Sequence, residues 1–365
     1  MINICQKLLS CIILFAFALS SCQTTQEKDG PKINVAVMMP LTGKDAETGK
    51  RLAKFIELGL EDALAGQINL MVYDARDEEV AKSMMNKVIN KKTKIVLGPL
   101  YSDITSAIIP QAEANEITVI SLSNNPALAA NNIYVFGHAP MRQTERVISH
   151  FLAKDHKDFI LLLPAGNYSK TVASVISDMA LRHRANPAHV EFYANEPEAI
   201  AASVEKVARM VDELNESPES HTKPVIYVAD DAKNLNLIYS AIHKYDLDKK
   251  AYLIGDNRAD IDFPTSIDLT FTGSLNYLNY NLDIKAREIL DIHHLTFMDL
   301  MAYDLGRMTA HYIGQGLTHE QFVARLKSEG YIGASGSVKF EDNIAIRRYD
   351  IIERSGTKYH TLEKF

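Results

Sequence analysis

Cysteine is almost missing from this chain of 365 residues, which has three: Cys5, Cys11 and Cys22. The first two lie in an apolar N-terminal stretch of leader type, so its removal leaves Cys22 alone and excludes a disulfide within the mature chain. The fold must then stand on its hydrophobic core. With 47% of its residues apolar, the chain can bury one, and at this length two compact lobes fit better than one. An excess of positive charge is lacking too. Lys and Arg total 39 against 46 Asp and Glu, a formal net charge of −7 that grows more negative once Lys7 is removed. That balance excludes a general nucleic-acid binder.

The signatures of common enzyme sites are likewise missing. There is no His-Glu-x-x-His zinc helix, no Gly-x-Ser-x-Gly elbow and no phosphate loop ending in Gly-Lys-Ser/Thr. His293-His294 would need metal ligands from elsewhere, and reads as a surface or partly buried pair. Asp256, Asp260 and Asp262 miss the EF-hand spacing and its closing glutamate, and read as a solvated loop. Gly330, Gly333 and Gly336 follow a helix rather than a strand, so they serve a turn instead of a dinucleotide. No catalytic residue, metal or cofactor is assigned, and the chain reads as a non-enzyme.

What is present starts at the N-terminus. Lys7 is followed by the apolar run Leu8 to Leu19, too short to span a bilayer, and then by Ser20, Ser21 and Cys22. This pattern resembles the lipobox of bacterial lipoproteins. The resemblance implies a signal peptide over residues 1–21 and acylation of Cys22, which becomes the first mature residue. Two acyl chains, at roughly 0.8 kcal/mol per buried methylene, would then hold the protein on a membrane. Residues 22–32 are polar, with Gly30-Pro31, and read as a tether. Position 23 is Gln rather than the Asp that resembles an inner-membrane retention signal. The expected location is therefore the periplasmic face of the envelope, with the outer membrane favoured over the inner.

Beyond the tether, strand and helix patterns alternate. Ile33 to Met39 is a continuous apolar run ended by Pro40, as in a strand buried on both faces. In the following helix Leu52, Phe55, Ile56, Leu60 and Leu64 recur at three and four. Strands at Ile68–Tyr73, Lys94–Leu97 and Ile117–Ser121 interleave with helices at Glu78–Asn90 and Ile104–Ala114. A second series runs from about Arg142 to Ile254, and the chain closes with two helices and two strands. The βαβα order predicts two doubly wound, Rossmann-like α/β lobes with a hinge and an interlobe cleft. Lobe 1 is expected over 33–136 plus about 266–335, and lobe 2 over 137–265 plus about 336–365.

Open parallel sheets bind ligands beyond the carboxyl ends of their strands. The loops there hold Ser102, Ser123, Asn124, Tyr168, Asp230 and Asn257, the candidate cleft residues. Helix capping is the plainer role for Ser, Asn and Asp at such places, and both roles stay open.

Val35 to Gly43, the Gly98-Pro99-Leu100 loop, Pro110, Ile117 to Asn124 and Ala302-Tyr303-Asp304 together resemble the type I periplasmic binding proteins over nearly all of the mature chain. Within that superfamily, Tyr134 to Pro140 followed by Arg146, and the tail Gly330 to Phe340, look most like the penicillin-binding protein activators. That resemblance implies a lipid-anchored, non-catalytic regulator touching a peptidoglycan synthase. The alternative is a solute-binding receptor that serves an ABC permease, for amino acids or another small polar ligand. Ser102 and Tyr168 fit the amino-acid receptors' pattern by position. Asn124, Asp230 and Asn257 stand where those receptors would have threonine, tyrosine and glutamate.

Overall fold

The computed structural model describes residues 32–365 apart from 138–139, 219–220, 262, 264–266 and 315. Cys22 and the tether up to residue 31 thus lie outside the described residues, as does Asp262. Among the described residues no helix is long and apolar enough to cross a membrane.

The first sheet grows from the continuous apolar run at the start. Strand β1 (Ile33–Met39) pairs in parallel with β2 (Ile68–Asp74) and with β3 (Ile95–Leu97). Next to these come β4 (Thr118–Ser121) and β5 (Ile133–Val135), also parallel. Burial on both faces explains why β1 does not alternate in polarity: Val35, Val37 and Met39 enter one core and Ala36 and Met38 another. Helix α1 (Ala46–Leu64) buries Leu52, Phe55, Ile56 and Leu60, as its spacing predicts. The sheet is covered further by α2 (Glu78–Asn90) and α3 (Ser102–Ala114).

The chain leaves for the second sheet between Val135 and Pro140, entering α4 (Pro140–Ala153). Strands β6 (Phe159–Pro164), β7 (His189–Tyr193), β8 (Val225–Val228), β9 (Tyr252–Gly255) and β10 (Leu269–Gly273) are parallel, interleaved with α5 (Asn167–Arg182), α6 (Pro197–Glu216), α7 (Ala232–Lys244) and the short α8 (Leu247–Lys250). After β10 the chain passes through α9 (Leu282–Leu290) back to the first lobe, where α10 (Phe297–Ile313) and α11 (His319–Ser328) pack.

Two sheets of mixed direction result. The first has the order β11-β12-β13-β5-β4-β3-β1-β2, where β11 (Gly330–Gly333), β12 (Gly336–Glu341) and β13 (Ile344–Arg348) form antiparallel pairs and β13 joins β5 in parallel. The second has the order β15-β14-β10-β9-β8-β6-β7, with β14 (Asp350–Ser355) and β15 (Lys358–Glu363) antiparallel at its edge. The crossings fall elsewhere than expected. β10 lies past the expected return at about 266 yet stays in the second sheet, because both its edges are paired, to β9 and to β14. Residues 336–348 do not start lobe 2. They fold back on β11 through a turn closed by Gly333 and Gly336, the latter at φ +100, and the last crossing is at Tyr349.

Candidate functional site

The carboxyl ends of β8, β9 and β10 meet at one side of the second lobe. β8 is buried throughout and ends just before Asp230-Asp231, where α7 begins. Asp231 caps that helix by accepting from Asn234 N. Asp230 is fixed by neutral donors: Tyr193 Oη at 2.6 Å and Asn234 Nδ2 at 2.9 Å to Oδ2, and the Asp231 amide at 2.7 Å to Oδ1.

β9 ends at Gly255, where a β-carbon would lie 2.4 Å from Ala259 Cβ and 2.7 Å from the Val228 carbonyl oxygen. Only glycine lets the chain turn tightly there into the short helical turn Asn257–Ala259. The turn buries Asp256 completely and aims Arg258 back at it, with Nε 3.0 Å from both carboxylate oxygens. Burial opposes the guanidinium's charge, but the Asp256 hydrogen bonds and charge outweigh it and raise the Arg258 pKa. The Arg258 guanidinium also lies over the Tyr168 ring at 5.5 Å. Farther along, Arg354 donates to Asp260 Oδ1 at 2.8 Å and Tyr359 Oη donates at 3.2 Å. Burial raises the Asp260 pKa against the opposing pull of Arg354.

The facing wall comes from the segment that returns to the first lobe. Leu282, Ala286, Phe297 and Leu300 are rooted in the first core. Arg51 on α1 holds this segment by donating to the His294 carbonyl at 2.8 Å and to both oxygens of Asp299 at 2.7 and 2.6 Å. Asp299 completes a capping box with Thr296 at the start of α10. His294 Nε2 in turn donates to the Asp260 carbonyl at 3.2 Å, touching the second lobe.

A cavity of about 670 Å³ opens between these two walls. Asp230 and Asn257 line it. Tyr168 stands at its margin, exposed and stacked on the lining residue Arg258. Ser102, Ser123 and Asn124 are not in its wall: they sit at strand ends of the first sheet, where Ser102 begins α3 and Asn124 is exposed. Ser123 Oγ accepts from the Asn125 amide of its own loop at 3.2 Å. The acidic loop is not a solvated one at Asp256 or Asp260, since each carboxylate is drawn inward by an arginine. Arg258, Thr272, Tyr277 and Phe297 also line the cavity and were not singled out from the sequence. For Arg258, its place beside Asp256 in a strand-end loop was the available signal.

The model of the periplasmic binding protein family matches residues 32–209 of this chain. The two-lobed fold is that of the type I, leucine-binding-protein-like members. The chain is 45% identical over 371 residues to an uncharacterized protein of Rickettsia prowazekii (strain Madrid E), covering 99% of each chain. Among solved structures it is similar to a putative branched-chain amino acid ABC transporter protein from Rhodospirillum rubrum, with TM-score 0.70 and 12% identity over 91% of this chain and 100% of that one. It is also similar to an ABC transporter solute binding protein from Rhodopseudomonas palustris BisB5 in complex with 3,4-dihydroxybenzoic acid. There the TM-score is 0.64 and the identity 14%, over 91% of this chain and 98% of that one. At such identities these likenesses are likenesses of fold.

Proposed function

We propose that this chain is an extracytoplasmic solute receptor: its two lobes close on a small molecule, which an ABC permease then takes up. The observation that carries this reading is the cavity of about 670 Å³ between the β8–β10 strand ends and the first-lobe segment around Phe297. Its volume suits a small ligand, and its place is where open α/β sheets bind theirs. The ligand-bound relatives of the same fold support the reading. A molecule touching both walls favours the closed form by its difference in affinity between closed and open. No group in the wall is asked to do chemistry. Acylation at Cys22 would keep the receptor beside the membrane, on the periplasmic face.

Mass spectrometry of small molecules released by denaturing the purified protein tests this, together with small-angle scattering before and after adding the molecule found. A bound solute that shrinks the radius of gyration is the expected result. Protein that carries no solute and contracts with none would overturn the reading.

A second reading has its own support: a lipid-anchored activator of a penicillin-binding protein, acting by contact alone. The motifs at Tyr134–Pro140 and Gly330–Phe340 favour it, and so does the separation of Ser102, Ser123 and Asn124 from the cavity. Such a regulator needs a surface burying on the order of 800 Å² per partner rather than a cleft. Recovery of a peptidoglycan synthase on solute-free protein, abolished by competing soluble receptor, is its expected signature.

A further inference from the structure

We infer that the cavity takes an organic cation with an apolar body, an inference that rests on the receptor reading above. The argument is one of charge left over. Of the arginines and histidines in the wall, Arg258 is engaged by Asp256, Arg287 lies 3.9 Å from Asp283, His293 lies 3.4 Å from Asp291 and His294 donates to the Asp260 carbonyl. Asp260 is likewise matched by Arg354. Asp230 and Asp231 remain. Both line the cavity, and among the described residues neither forms an ion pair with Lys, Arg or His. Their hydrogen bonds come from Tyr193, Asn234 and backbone amides, neutral donors that hold the carboxylates in place without cancelling their charge.

Two further features point to a ligand. Thr272 is fully buried and lines the cavity, and its Oγ1 has no hydrogen-bond partner among the described residues; Asn257, a half-buried lining residue, likewise has a buried Oδ1 with none. Buried polar atoms are nearly always satisfied, so these are places for a ligand's polar hydrogens or for water. The rest of the wall includes Phe271, Tyr277, Phe297 and Tyr359. Aromatic faces accept an apolar body and attract a cation, and they have no such affinity for a carboxylate.

The test uses four molecules with one phenyl body and different heads: phenethylamine, phenylalanine, 2-phenylethanol and 3-phenylpropionate. Calorimetric titration of the mature protein is expected to give binding in the order of the positive charge exposed, with phenethylamine tightest and 3-phenylpropionate undetected. Asp230→Asn should weaken phenethylamine roughly tenfold or more, the loss of one charge-assisted contact. Asp231→Asn serves as the second variant, because Asn caps a helix as well as Asp does and the fold is kept. Its binding loss should grow smaller as salt is added. Tighter binding of 3-phenylpropionate or phenylalanine would overturn the cation inference and leave the receptor reading standing. No binding of any of the four would also overturn it, and the released-solute experiment then decides the receptor reading by itself.

Discussion

Asp304 shows how one side chain holds the last crossing together. It is fully buried at the middle of α10, and its carboxylate accepts from Ala334 N at 2.6 Å, from Ser335 N at 2.7 Å and from Ser335 Oγ. Arg347 donates to the same Ser335 hydroxyl at 3.0 Å and to the Phe136 carbonyl at 2.9 Å, with its guanidinium over the Phe136 ring. Four segments that leave or enter the first sheet are thereby tied through one acid. The space is made by Gly333, where a β-carbon would lie 2.2 Å from the carboxylate. Removing a buried acceptor strands its donors at about 1–3 kcal/mol each, and a buried arginine robbed of its nearby counter-charge adds to that. Asp304→Ala should therefore lower stability by about 3 kcal/mol or more, read from the urea midpoint. Gly333→Ala should lower it as well, since the methyl has no room.

Among the elements, the pairing of α1 with α10 carries the first lobe. The two helices approach so closely that a β-carbon at Gly59 would lie 2.1 Å from the Tyr303 carbonyl oxygen, and one at Gly306 would lie 2.1 Å from that of Ile56. Such contact leaves no slack for a methyl. Gly306→Ala is expected to cost about 1–3 kcal/mol by forcing the helices apart, against the small gain in helix propensity. The loss would be read as a lower thermal midpoint. The same scale explains what could be read in advance. The helices Glu78–Asn90 and His319–Ser328 announce themselves by caps, Asp77 on Val80 N and the Thr318–Gln321 capping box, and by apolar stripes. β5 has three residues and β11 has glycine at both ends, too little for a period of two to register. α9 buries only Leu282 and Ala286 and is entered and left through Asn281 and Asp291 at positive φ. Asp230 and Asn257 were legible because strand-end loops are local patterns. Tyr277, Phe297 and Thr272 were not, because their place in the wall depends on where the chain crosses between sheets.

For the molecule as a whole, position in the cell and response to acid follow from different parts of the chain. If Cys22 is acylated, Cys22→Ala releases the protein from the membrane fraction into the soluble envelope fraction, checked by fractionation and by the acyl mass on the first mature residue. Acid acts on the lobes themselves. His150, His156 and His319 all have pKa values lowered, chiefly by burial, which penalises the charged imidazole. Below about pH 6.5 the unfolded chain binds protons that these folded sites resist, so stability falls as pH falls. Asp304 works in the other direction. Burial pushes its pKa up from 3.8 to about 6, so between those values the folded state holds a proton that the unfolded state has lost. Its contribution makes the protein more stable as pH falls through that window. With Asp304 present, the urea midpoint should thus decline from pH 7 toward pH 4 less steeply than it does in a variant that lacks this titrating group. In Asp304→Asn the offset is gone: the variant is weaker at pH 7 and its further loss on acidification is steeper than that of the wild type. Parallel pH profiles for the two proteins would show that the Asp304 proton has no share in stability, and that the crossing is held by hydrogen bonds indifferent to charge.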